Sequence, residues 1–67
     1  MKRVSGKRLC RALKKNGWTL IHVRGSHHKY SKSGQAPVVV PVHGNKPLKA
    51  GTQQGIMKAA GLTDEDL

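Results

Sequence analysis

Trp18-Thr19-Leu20-Ile21-His22-Val23-Arg24-Gly25-Ser26-His27-His28-Lys29-Tyr30-Ser31 is the stretch whose reading decides the fold. Trp18 to Arg24 is rich in β-branched and aromatic residues, which suit a pleated, half-buried surface. Gly25 and Ser26 form a tight connection, and His27 to Ser31 resumes the extended pattern, so the stretch reads as a β-hairpin. Downstream, Lys32-Ser33-Gly34-Gln35 makes the next turn and Val38-Val39-Val40 a buried strand bracketed by Pro37 and Pro41. Proline cannot donate to a ladder, so this strand belongs at an edge or pairs only through its middle.

Helical signals flank the strands on both sides. Ser5 can cap a helix whose apolar residues Leu9, Ala12 and Leu13 recur at helical spacing, with Lys14 and Lys15 in its last turn and Gly17 just beyond. After the loop His43-Gly44-Asn45-Lys46-Pro47, Thr52 can cap a second helix carrying Ile56, Met57, Ala59 and Ala60 before Gly61 stops it. Gly55 weakens that helix by up to about 1 kcal/mol relative to Ala. Thr63-Asp64-Glu65-Asp66 has the pattern of a further helix start. The expected class is α+β: helix, three-stranded antiparallel sheet, helix, in one domain over residues 1–67 with an acidic segment at 63–67. Three strands need a cover for one apolar face. Both helices can lie there, leaving the other face open to a ligand.

Charge narrows the ligand. Thirteen Lys and Arg stand against 3 acidic residues for a formal charge of +10, and all three acids fall in Asp64-Glu65-Asp66. A surface without internal counterions repels itself and calls for a polyanion or an acidic partner, nucleic acid first among them. No apolar run approaches the roughly 20 residues that span a bilayer, and no signal-peptide core is visible, so the chain reads as cytoplasmic, without a membrane partner. The single cysteine, Cys10, excludes an internal disulfide and Cys-rich zinc frameworks.

Within the hairpin, Arg24-Gly25-Ser26-His27-His28-Lys29-Tyr30 sets imidazoles beside a flexible glycine, a hydroxyl donor and two cations. Imidazole suits proton transfer near neutral pH, while Arg24 and Lys29 can hold an anionic group. Gly25 lets the backbone approach a phosphate and Ser26 can donate to it, although a plain turn explains both equally well. A histidine pair in a basic chain is also often a solvated surface feature. Lys7, Arg8 and Arg11 oppose the dipole of the first helix by a few tenths of a kcal/mol each. Such cations either solvate an outer face or meet phosphates.

With this element order, the chain resembles the HicA toxins of HicA and HicB toxin-antitoxin modules. The resemblance runs through Leu13-Lys14-Lys15-Asn16-Gly17-Trp18, Gly25-Ser26-His27 with Tyr30 after it, the Val-rich strand closing in Pro41-Val42-His43, and Gly51-Thr52 leading into Ile56, Lys58, Ala60, Gly61 and Leu62. It implies a double-stranded-RNA-binding-domain-like fold and an endoribonuclease acting on mRNA in a bacterial or archaeal cytoplasm. It also implies a HicB-like antitoxin over the active site and a catalytic histidine at His27, with His28 a more variable neighbour. Strand alternation agrees: if Tyr30 packs beneath the helices, His28 points inward with it while His27 and Lys29 face outward. Polar Gln53 and Gly55 depart from the family's usual look and leave the packing of the second helix in question.

The four histidines could converge on a metal, but no carboxylate or thiolate accompanies them at ligand spacing, so neither metal nor other cofactor is expected. His43 sits beside Lys46, near phosphates or merely solvated. Trp18 and Tyr30, the only aromatics, are assigned to the core, which leaves no platform for stacking bases. The catalytic reading is metal-independent RNA cleavage by His27, with Arg24, Gly25, Ser26, Lys29, Lys7, Arg8, Arg11 and Lys46 meeting phosphate. The competing reading is a non-catalytic RNA-binding module of the same shape, and a DNA-binding accessory protein lacks a helix-turn-helix pattern.

Overall fold

Ser5 stands in extended conformation, and its side-chain oxygen accepts the Arg8 N–H at 3.2 Å, so the chain enters α1 (Gly6–Lys15) at the cap its sequence supplies. The computed structural model describes residues 1–67. Past α1, Gly17 takes a positive φ of 89° and the Trp18 N–H returns to the Leu13 carbonyl at 3.0 Å, which delivers Trp18 into the core. Its indole Nε1 finds no acceptor there. There follow β1 (Thr19–Arg24), β2 (His27–Ser31), β3 (Val38–Pro41), α2 (Ala50–Ala60) and a 3-10 turn at Asp64–Asp66. The architecture is α+β: helix, three-stranded antiparallel sheet in the order β1-β2-β3, helix, in keeping with the double-stranded-RNA-binding-domain-like shape. As the flanking prolines require, β3 is an edge strand.

Residues paired across antiparallel strands share a face. Tyr30 pairs with Leu20 and Val38, and His28 with Val23 and Val40. Tyr30, Val38 and Val40 join Leu9 and Leu13 of α1 and Ile56 and Met57 of α2 in one buried cluster, so both helices cover this face. Val39 alternates to the other face and is 45% exposed, which corrects the expectation of a wholly buried valine strand. The helices do not reach all of β1, whose Leu20, Ile21 and Val23 stay exposed.

α2 corrects two further expectations. It begins at Ala50 behind Lys49, without a side-chain cap, so Thr52 lies inside the first turn. The reason is tertiary: Leu48 is buried and its N–H donates to the Val4 carbonyl at 2.9 Å, which fixes where the chain leaves the loop. Ala59 is exposed. Gln53, far from disturbing the packing, is fully buried: its Oε1 accepts the Val4 N–H at 3.0 Å and its Nε2 donates to the Lys2 carbonyl. The amide thus ties α2 to the segment before α1. Gln53→Met, of similar volume, leaves those main-chain groups unpaired and should lower stability by about 1–3 kcal/mol. Denaturant unfolding measures it, and an unchanged midpoint would show that the amide is replaceable.

Candidate nucleic-acid interface and active site

The hairpin turn has a positive φ at Gly25 (57°) and a negative one at Ser26, the combination of a type II′ turn, whose twist suits the strands it joins. It sets Arg24 directly opposite His27, with His22 opposite Lys29 in the same ladder. The register slips at Ile21, between Leu20 and His22. This bulge reverses the alternation, so Leu20 and Val23 lie on the helix side while His22 and Arg24 join His27 and Lys29 on the open face. Lys29 pairs with Val39 across the other edge of β2, and His27 with Pro41.

His27 is exposed on the open face and His28 half-buried on the opposite one. No Lys or Arg is ion-paired with a carboxylate. The cations beside His27 therefore have no internal counterion, and the three acids lie at the distant 3-10 turn. No three of His, Cys, Asp and Glu side chains come together. Trp18 and Tyr30 are buried, so neither of these rings faces outward.

A second cluster adjoins this one. His43 begins a turn closed by the Lys46 N–H on the His43 carbonyl at 3.1 Å, with Gly44 at a φ of 56°. Beside it lies a cavity of about 450 Å³ lined by Pro41, His43, Lys46, Pro47, Leu48, Lys49 and Thr52. Of the residues expected to meet phosphate, Arg24, Gly25, Ser26 and Lys29 gather around His27, and Lys46 stands with His43. Lys7, Arg8 and Arg11 do not join them: the apolar stripe of α1 faces the sheet, so they project from the far side of the domain. There the Arg8 guanidinium donates to the main-chain oxygen of Leu67 at 3.0 and 2.8 Å, and Arg11, Lys15 and Asp66 lie alongside. His22 and Lys49 are the additions that sequence reading did not place in either cluster. The parity of His22 depends on the bulge, and Lys49 borders the cavity because α2 starts at Ala50, earlier than Thr52 suggests.

The remaining reactive side chains are inert by burial. Desolvation raises the Cys10 thiol above its usual range, and it also raises the Tyr30 hydroxyl. Both groups lose their protons more easily in the unfolded chain, so the folded state holds more protons over the intervening pH range. The associated stability is present below the unfolded values of 9.0 and 10.0 and falls as pH climbs from them. Denaturant midpoints should therefore drop in alkali, and less so in Tyr30→Phe. An equal drop in that variant would remove the tyrosine from the account.

A family model described as the HicA toxin of bacterial toxin-antitoxin matches residues 6–62. The chain belongs to the HicA toxin family. The match runs from the start of α1 to Leu62, so the hairpin, the His43 turn and α2 all lie within the HicA region, and the acidic turn lies outside it. No curated protein matches the chain. No helix of this HicA-family chain is long and apolar enough to cross a membrane.

Proposed function

We propose that this HicA-family toxin is a metal-independent endoribonuclease that cleaves RNA, mRNA included, on the open face of its sheet. The observation that carries this reading is an exposed imidazole, His27, among unpaired cations on a face free of carboxylates. His27 takes the proton of a ribose 2′-hydroxyl as that oxygen attacks the adjacent phosphorus. Arg24 and Lys29 stabilise the charge that builds on the phosphoryl oxygens. The products are a 2′,3′-cyclic phosphate and a 5′-hydroxyl, and no step needs a metal or other cofactor. With Trp18 and Tyr30 in the core and no Phe in the chain, recognition rests on backbone and shape. Lys7, Arg8 and Arg11 serve only RNA long enough to reach α1.

The test is incubation of purified protein with RNA in excess chelator. Cleavage to cyclic-phosphate ends is expected, whereas binding without cleavage favours the non-catalytic RNA-binding module. Domain extent follows the same reading: residues 1–67 act as one toxin unit.

A toxin of this kind needs restraint, and a HicB-like antitoxin is the partner proposed. Charge complementarity makes its contact surface acidic. It covers His27 and the cations beside it on the open face. Co-purified complex should not cut RNA at concentrations where free toxin does. A stable complex that cuts at the free rate would contradict occlusion.

A further inference from the structure

Cleavage through the 2′-hydroxyl needs two proton transfers, one from the attacking oxygen and one to the departing 5′-oxygen, and His27 accounts for only the first. Resting on the ribonuclease reading, we propose that His43 is the second, the general acid, and that Lys46 and Lys49 hold the scissile phosphate group or its neighbour in the adjoining cavity. The three carboxylates are all at Asp64–Asp66, which leaves an imidazole as the group matched to the task.

Among the histidines, His28 faces the helices. His22 shares the open face, but it sits within β1, away from the cavity. His43 is placed differently. Pro41 stands directly opposite His27, and the Val42 N–H continues the pairing onto the Ser26 carbonyl at 2.7 Å. His43 is thus two residues past the partner of His27, just beyond the end of β3 at the same end of the sheet. Two imidazoles at one end of a sheet can approach a single phosphate group from two sides.

The His43 turn is anchored at both ends. Val42 bonds to Ser26 on one side; on the other, Pro47 bridges to Ser5 and Leu48 bonds to Val4 at 2.9 Å. Gly6 is packed so closely that a Cβ there would meet the Pro41 carbonyl oxygen. A turn held this way keeps its backbone in place beside the sheet, which brings His43 to the same site in every molecule. The cavity offers Lys46, Lys49 and the Thr52 hydroxyl with no acid among its lining residues, and its about 450 Å³ lies in the range of ligand sites.

The step balances. His27 accepts the 2′-hydroxyl proton as the new O–P bond forms. The bond from phosphorus to the 5′-oxygen breaks, and protonated His43 gives that oxygen its proton. Exchange of protons with water then restores both rings.

An RNA oligonucleotide with sulfur in place of the bridging 5′-oxygen, at a site mapped with the wild-type protein, tests the assignment, because a thiolate departs without a proton. His43→Ala should slow cleavage of the oxygen substrate by about 10²- to 10⁴-fold yet cut the sulfur substrate at close to the wild-type rate. His27→Ala should be slow on both. His43 is exposed, so its variant should unfold at the wild-type temperature. Wild-type speed of His43→Ala on the oxygen substrate, or equal slowing on both substrates, would overturn the proposal while leaving the ribonuclease reading intact. A wild-type protein that cuts neither substrate would sink both.

Discussion

His27→Ala should abolish RNA cleavage while leaving the fold and RNA binding in place. The ring is exposed on the open face and belongs to none of the buried cluster, so its loss removes no core contact. General acid-base help is typically worth about 10²- to 10⁴-fold, far more than the modest weakening that follows deletion of one exposed phosphate contact. Single-turnover rates together with filter binding separate the two quantities. His28 differs because the pairing with Val23 and Val40 turns it to the helix side. His28→Ala should cost stability more than rate. The catalytic role of His27 would be falsified by a well-folded His27→Ala protein that cuts at the wild-type rate, and an equal loss of rate in His28→Ala would move the chemistry across the sheet.

RNA affinity should fall steeply with salt. Arg24, Lys29, Lys46 and Lys49 border the two histidine clusters, and none is ion-paired within the chain. If these four each displace a counterion from single-stranded RNA, log affinity falls with log salt at a slope of about −2.8, and a fourfold rise in salt weakens binding about 50-fold. Lys29→Ala should reduce that slope by about 0.7, with similar effect on RNAs of different sequence. Arg11→Ala should leave it unchanged for an RNA too short to reach α1. Titrations at several salt concentrations decide the matter; a flat response would remove the electrostatic account.

Local chemistry made much of the fold legible. Ser5, Gly17, Gly25 and Gly61 each mark a boundary because the backbone needs a side-chain cap or a positive φ there, and residue type reveals that directly. The start of α2 was not legible in this way. Thr52 looks like a cap, yet the burial of Leu48 against the segment before α1 sets the boundary earlier. Gln53 misled for the same reason: its partners, the Lys2 carbonyl and the Val4 N–H, lie about fifty residues away in sequence. In the candidate site, alternation from Tyr30 was enough to separate His27 from His28. It could not place His22 and Arg24, because a single extra residue at Ile21 reverses the parity of β1. The cations of α1 were grouped with the hairpin by charge alone, and only the packing of Leu9 and Leu13 on the sheet shows that they face away.

The claim at the centre is that an imidazole on an acid-free cationic face cuts RNA through its own 2′-hydroxyl. The most direct measurement compares one mapped cleavage site with its 2′-hydroxyl present and with that hydroxyl replaced by hydrogen, in excess chelator, with identification of the product ends. The account predicts that wild-type protein binds both strands, converts only the first, and leaves a 2′,3′-cyclic phosphate. Cleavage of the deoxy-substituted site at the same rate, or a 3′-hydroxyl product, would contradict it.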